Sequence, residues 1–213
     1  MRLFFISFLL VTTISALGYF MWYRPKFKAP AGSSKSPAKR HDGAATLARL
    51  KQKAGLVLPY IRSGNFNEQY CFLVDMRIAS GKQRFFVYNL RKDSVEQAGL
   101  VAHGSGSDKG GDELYFSNAP NSNCTSLGKY RIGKSYYGSF GLAYKLYGLD
   151  ASNNNAFNRF VVLHAHSCVP VGEIYPVPLC ESWGCPTVAP AFLQELKKYI
   201  DRSDEPVLMC IYY

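Results

Sequence analysis

Cys185 lies in a short segment whose residue types suit thiol chemistry, Ser182-Trp183-Gly184-Cys185-Pro186. Glycine allows a tight turn that presents backbone N–H groups, and a cysteine thiolate is a strong nucleophile. Such a thiol needs a neighbouring base, and His164 lies upstream at the end of a strand-like run. His166 is a second candidate base, because residues two apart on a strand share a face. The pattern therefore predicts a cysteine nucleophile that is activated by a histidine.

Disulfide pairing is the main alternative use of Cys185, because an exported chain with 6 cysteines is expected to contain disulfides. Cys168 and Cys180 bracket the loop that leads to Cys185, and we expect these two to pair. Cys71 and Cys210 lie in predicted strands, where they could pair or stay buried. Cys124 is left over.

A zinc site is the alternative chemistry for the same region, because imidazole nitrogen and thiolate sulfur are the usual ligands of tetrahedral zinc. The possible ligands are His164, His166, Cys168, Cys180 and Cys185. Their spacing matches no common zinc motif, so we favour a thiol catalyst over a metal centre.

The net charge of +10 is concentrated in the first part of the chain. Residues 1–62 contain 11 Lys and Arg and a single acidic residue, which leaves 14 basic and 14 acidic residues in the remainder. A neutral globular part offers no basic groove for a phosphate backbone, so nucleic-acid binding is not indicated. The basic N-terminal part is suited to anionic lipid or an anionic cell wall.

Three regions are predicted along the chain. Residues 1–23 are mostly apolar from Leu3 to Tyr23, which is long enough for a membrane anchor, although a signal peptide cut after Gly18 fits equally well. Residues 24–44, rich in Pro, Ser, Gly and Lys, are typical of a flexible linker. Residues 45–213 form a domain large enough for one buried core.

The domain is predicted to be mainly β with a few helices, an α+β fold. Helices are expected at 45–60, closed by Pro59 and Gly64, and at 190–199, where apolar residues share one face. A turn at 79–82 should join the first two strands into a hairpin. Strands are predicted at 70–76, 84–90, 99–104, 127–132, 142–149, 160–164 and 207–213.

Several of these segments occur in an order that resembles one enzyme family. The matching stretches are Val74-Asp75, Ser80-Gly81-Lys82, Val101-Ala102-His103-Gly104-Ser105-Gly106, Phe116-Ser117-Asn118, Thr125-Ser126-Leu127-Gly128-Lys129-Tyr130, Tyr147-Gly148-Leu149-Asp150, Asn155-Ala156, Arg159 with Val161-Val162-Leu163-His164, and the Cys185 segment. Together they cover roughly two thirds of the chain and resemble the murein branch of the L,D-transpeptidase catalytic domains, the YkuD-like β-sandwich.

The resemblance implies an enzyme that acts on peptidoglycan stem peptides without a metal or an organic cofactor. Cys185 would form a thioester with the donor stem, and an amine of a second stem would resolve it into a 3→3 cross-link. Hydrolysis of that thioester would instead make the protein an L,D-carboxypeptidase or endopeptidase. A non-catalytic cell-wall-binding protein is the alternative of another class.

The resemblance also implies roles for individual residues. His164 would be the base, oriented by the backbone carbonyl of Ala165. N–H groups of Trp183, Gly184 and Cys185 would hold the oxyanion beside Ser182. The cleft is further expected to include His166 and His103. The chain departs from the wider family pattern at Ala165, where Gly is usual, at Trp183, where His is common, and at Pro186-Thr187, where Arg or Asn is common.

A periplasmic or extracytoplasmic location follows from this implied substrate, with the monomeric protein secreted or anchored by its N-terminal segment. The distribution of charge opposes that inference. Six Lys and Arg follow the apolar segment within residues 24–40, and the positive-inside rule alone would keep the domain in the cytoplasm.

Overall fold

The structure is a computed structural model that describes residues 43–111 and 113–213. The predicted N-terminal segment 1–23 and nearly all of the predicted linker lie outside the described residues. Gly43 and Ala44, assigned to the linker from sequence, already belong to the first helix. Neither described helix is long and apolar enough to span a membrane.

Nine strands form one hydrogen-bonded sheet in the order β3-β2-β1-β9-β5-β6-β7-β8-β4. The strands are β1 Tyr70–Asp75, β2 Phe85–Asn89, β3 Ser94–Gly99, β4 Val101–Ala102, β5 Gly128–Gly138, β6 Gly141–Gly148, β7 Val162–Ala165, β8 Thr187–Val188 and β9 Leu208–Tyr212. The helices are α1 Gly43–Ser63, α2 Pro190–Ile200 and a 3-10 turn at Ser105–Ser107. The prediction of a mainly β fold with a few helices is confirmed.

The two edges of this sheet lie close together. Strands β3 and β4 are at opposite edges, yet only Leu100 separates Gly99 from Val101 in the chain. Two residues span no more than about 7 Å, so the sheet must curl until its edges nearly meet. The buried side chains of both halves consequently share one core, which α2 closes with Phe192, Leu193 and Leu196.

The outer face of β1, β2 and β9 is covered by α1. Leu50, Ala54, Val57 and Ile61 recur at helical spacing and pack on the outward-facing side chains of these strands. These central strands are therefore buried on both faces, which explains their continuous apolar sequences, as in Phe85–Asn89. The site described below lies on the opposite half of the sheet, on β7 and β8.

The structure corrects several details of the predicted elements. Pro59 does not end α1, which continues to Ser63 because Ile61 is still buried against the sheet. The predicted strand 99–104 is divided between β3 and β4, and most of β3 and all of β8 were not predicted. The turn at 79–82 exists, with the Lys82 N–H on the Ala79 carbonyl, within a longer connection between β1 and β2.

Candidate active site

The pairing of β7 with β8 brings the predicted base close to the segment that carries the predicted nucleophile. The strands run parallel, with His164 opposite Thr187 and Ala165 opposite Val188. Cys185 lies in the bend two residues before Thr187. The backbone N–H of Val162, two residues before His164, donates to the Cys185 Sγ at 3.4 Å.

His164 is held as one tautomer by its two neighbours. Its Nδ1 lies 3.1 Å from the carbonyl oxygen of Ala165, which only accepts hydrogen bonds, so Nδ1 carries the hydrogen. Its Nε2 therefore carries no hydrogen, and the lone pair there accepts a hydrogen bond from the Thr187 hydroxyl at 2.9 Å. Phe140 stacks on the imidazole with ring centroids 4.8 Å apart. The atom suited to act as a base is thus Nε2.

Burial keeps both His164 and Cys185 neutral. It lowers the pKa of His164, with the Ala165 carbonyl opposing the shift and His166 adding to it. It raises the pKa of Cys185, against the N–H of Val162 and the positive charge of Arg159. The two groups form a thiol and a neutral imidazole, so the proton must move as the sulfur attacks.

The Cys185 thiol is free and faces the carbonyl oxygen of Phe160 at 3.8 Å. Its sulfur and the His164 Nε2 thus have different partners in this structure. Proton transfer requires the two atoms to come together, and catalytic hydrogen bonds often tighten only when substrate binds.

The turn before Cys185 depends on Ser182 and Gly184. The Ser182 hydroxyl donates to the Cys185 carbonyl at 2.6 Å and accepts from the Gly184 N–H at 3.1 Å. Gly184 has φ +107, and a Cβ there would lie 2.8 Å from the Cys124 carbonyl oxygen. Because the Gly184 N–H is engaged, the amides of Trp183 and Cys185 are the donors that this turn offers to an oxyanion.

The backbone at and just after His103 is hydrogen-bonded to the same turn. Its carbonyl accepts the Ser182 N–H at 2.9 Å, and the Ser105 N–H donates to the Ser182 carbonyl at 2.8 Å. The His103 side chain is buried and accepts at Nδ1 from Arg84 at 2.9 Å. Burial first, and then the charge of Arg84, lower the pKa of His103 to about 4, while Asp108 acts in the opposite direction.

His103, Asp108 and Glu181 are close enough to be considered as a cation site. Arg84 can only donate, so the Nδ1 of His103 must accept and its Nε2 carries the hydrogen. That Nε2 lies 3.8 Å from a Glu181 carboxylate oxygen. A protonated nitrogen has no lone pair for a metal, so this cluster is unsuited to a cation that needs all three ligands.

The predicted pairing of Cys168 and Cys180 is confirmed, because the two form a disulfide. The disulfide removes two of the five ligands considered for zinc, and the three that remain are too few for a site with four protein ligands. Cys71, Cys124 and Cys210 are free and buried. His166 lies exposed just before the disulfide loop, and its Nδ1 accepts the Cys168 N–H at 3.1 Å.

Arg159, Phe160 and Thr187 were not predicted as site residues. Arg159 donates to the carbonyls of Ser117 and Cys124 at 3.0 and 2.7 Å and also reaches the hydroxyls of Ser122 and Ser126. These hydrogen bonds hold the segment that contains Cys124, whose carbonyl oxygen lies next to Gly184. The position of Thr187, two residues after Cys185, is the signal that could have identified it.

Comparison with known proteins gives one match to a protein family. A family model described as "L,D-transpeptidase catalytic domain" matches residues 48–210. No curated protein sequence matches the chain significantly.

Solved structures with a similar fold have little sequence in common with this chain. The helical cell shape determining protein Pgp2 from Campylobacter jejuni, as a point mutant, is 12% identical, with 76% of this chain and 55% of that chain covered and a TM-score of 0.43. Bdellovibrio bacteriovorus Bd1075 is 19% identical over 68% of this chain and 48% of its own, with a TM-score of 0.39. An L,D-transpeptidase from Mycobacterium tuberculosis is 14% identical over 68% and 58%, with a TM-score of 0.34. This chain spans about half the length of these proteins.

Proposed function

Because this chain belongs to the L,D-transpeptidase catalytic domain family, we propose that it is a cysteine-dependent acyltransferase that forms 3→3 cross-links between peptidoglycan stem peptides. The observation that carries this proposal is the pairing of β7 and β8. The proposal is supported by the free Cys185 thiol, which accepts the Val162 N–H on β7, and by the buried His164, whose Nε2 lone pair can accept a proton. The N–H of Val162 and the charge of Arg159 stabilise the thiolate as it forms.

The first half-reaction forms a thioester. The Cys185 sulfur attacks the amide carbon between the third stem residue and D-Ala, and its proton passes to the His164 Nε2. The Ala165 carbonyl stabilises the imidazolium that results through the Nδ1–H contact. The amides of Trp183 and Cys185 donate to the oxyanion. Collapse breaks the C–N bond, and D-Ala leaves with the proton from His164.

The second half-reaction returns the enzyme to its starting state. The amine of a second stem attacks the thioester and gives up a proton to His164. The C–S bond breaks, the thiol is restored, and the two third residues are joined by an amide. If water is the acceptor, the same steps release a tripeptide acid.

We further propose that the catalytic domain, a monomer beginning at residue 43, operates outside the cytoplasm. The disulfide between Cys168 and Cys180 supports this, because such bonds persist in oxidising compartments. Residues 1–23 would then export the chain or hold it in the membrane, and the basic residues that follow would act as a tether.

The test uses the full chain, purified in detergent because of its apolar first segment, and disaccharide-tetrapeptide as donor and acceptor. Mass spectrometry of the protein should show a thioester at Cys185, and the products should include a 3→3 dimer. Cys185→Ala should give neither, whereas Cys71→Ala, a free cysteine packed under α1, should behave as wild type.

Other outcomes would redirect or refute the proposal. Tripeptide without dimer would make the protein a hydrolase. Absence of any adduct with the wild-type chain would leave a cell-wall-binding protein. His164→Asn and His166→Asn separate the two possible bases, because we expect only the former to abolish acylation.

A further inference from the structure

Phe160 has a backbone conformation that large side chains rarely adopt. Its φ is +56, in the left-handed region. The Phe160 N–H donates to the Phe157 carbonyl and the Val161 N–H to the Ala156 carbonyl, so residues 156–161 end in the manner of a helix terminated by a left-handed residue. That terminal position normally favours glycine. The sequence prediction placed Phe160 in a strand, and this turn is the reason that the prediction was wrong.

Packing does not account for the presence of phenylalanine there. The four other described non-glycine residues with positive φ are Asn or Asp, whose short polar side chains tolerate the conformation. The Phe160 residue is 84% exposed, so burial of its ring gives little compensation for the backbone strain. Nearby Phe157, which is 48% exposed, differs because its ring stacks on Tyr147 at 5.1 Å. Backbone strain that no packing contact offsets is often associated with a functional site.

Phe160 is adjacent to the proposed nucleophile. Its carbonyl oxygen faces the Cys185 Sγ at 3.8 Å, so the ring is attached to a residue that touches the thiol. Trp183, two residues before Cys185, is 80% exposed. Phe160 contacts the sulfur through its carbonyl oxygen and Trp183 is two residues from Cys185 in the chain, so both exposed aromatic side chains belong to residues at the reactive sulfur.

We propose that Phe160 and Trp183 form an aromatic platform that holds a sugar ring of the glycan strand while its stem peptide reaches Cys185. This inference rests on the proposed function and specifies that the donor is recognised through its sugar. A pyranose ring has a face of C–H groups that packs on an aromatic ring and an edge of hydroxyls that the indole N–H can contact.

The charges near the platform also favour a neutral ligand. The guanidinium of Arg159 is the cation close to the thiol, and it is already bonded to two carbonyls and two hydroxyls. A carboxylate of the stem peptide would have to compete with these four acceptors. The platform itself contributes apolar faces and one N–H donor, which suit a sugar better than an acid.

The test compares two donors, disaccharide-tetrapeptide and the free tetrapeptide, with the full chain and its Phe160→Gly and Trp183→Ala variants. Each variant should raise the KM for the sugar-bearing donor by roughly three- to tenfold, the range expected for loss of one aromatic contact. The ratio of kcat/KM for the sugar-bearing donor to kcat/KM for the free tetrapeptide should fall by the same factor, because any disturbance of the catalytic groups would affect both donors equally. Phe157→Ala is the matched control, an exposed phenylalanine outside the site, and should leave both KM values unchanged.

Stability gives a second readout, because a structural role for Phe160 would predict the opposite sign. Relief of the left-handed strain should raise the Tm of Phe160→Gly by about 2–4 °C. A variant that is more stable and yet binds the sugar-bearing donor less tightly would support the platform. A fall in Tm of several degrees, or unchanged KM values, would overturn it, as would an equal rise in KM for both donors, which would indicate recognition of the peptide.

Failure of the platform is distinguishable from failure of the proposed chemistry. Calorimetric titration of Cys185→Ala with the peptide-free disaccharide requires no catalysis. If Cys185→Ala binds the disaccharide and the double variant Cys185→Ala/Trp183→Ala does not, the platform is supported even if the wild-type chain forms no thioester. Absence of binding, together with thioester formation from both donors at equal KM, refutes the platform alone.

Discussion

Acidification should destabilise the protein through His103. The pKa of this buried imidazole is about 4, against an ordinary value of 6.5. Between these two pH values the unfolded chain binds a proton at residue 103 that the folded chain rejects, because the charge would be buried beside Arg84. The contribution of neutral His103 is therefore complete above pH 6.5 and is lost as the pH falls towards 4. The difference of about 2.5 pKa units corresponds to roughly 3 kcal/mol of unfolding free energy.

The assay is denaturant unfolding of the full chain at a series of pH values, followed by circular dichroism, for wild type and His103→Asn. The amide oxygen of asparagine can accept from Arg84 but does not titrate, so the variant should lack this part of the pH dependence. His164, whose pKa is also lowered by burial, remains in both proteins, so its contribution cancels in the comparison. Parallel curves for the two proteins from pH 7 to pH 4 would refute the reasoning about His103.

Three further predictions concern the same site. Thr187→Val removes the hydrogen bond from the Thr187 hydroxyl that favours neutral His164, so the acidic limb of the pH–rate profile, which follows the lowered pKa of His164, should move to higher pH. An unmoved limb would mean that this bond is not maintained. Replacing both Cys168 and Cys180 by Ser should lower the unfolding free energy by about 2–3 kcal/mol, measured by denaturation, because the disulfide closes a short loop; equal stability would contradict this. Gly184→Ala should reduce acylation at least tenfold and lower the Tm, and normal activity would show that the turn can accept a Cβ.

The core and the main elements of the fold were accessible from sequence because they leave local patterns. Continuous apolar runs mark the central strands, and apolar residues at helical spacing mark α1 and α2. Strand β3 was missed because it lies at a sheet edge with mostly polar side chains, and β8 because two residues carry no periodicity. Strands of this kind are defined by their partners rather than by their own sequence.

The candidate site was only partly accessible for the same reason. The types and spacing of residues around Cys185 indicated thiol chemistry, and the position of Cys168 and Cys180 around a loop indicated their disulfide. The hydrogen bond from Thr187 to His164 depends on strand register, and the left-handed turn at Phe160 depends on the hydrogen bonds of the residues before it. Neither arrangement is specified by a short sequence pattern.

The register between β7 and β8 has a consequence for how this protein could be redesigned. His164 is set opposite Thr187 by the backbone pairing of the two strands. New binding segments could be grafted at the exposed residues Val171 and Gly172 without displacing the base from the thiol, whereas residues 174–179 are held by hydrogen bonds to Ser80 and Gly81. A single residue added between Cys185 and Thr187 would be far more damaging, because it would shift the sulfur away from the Val162 N–H that it accepts.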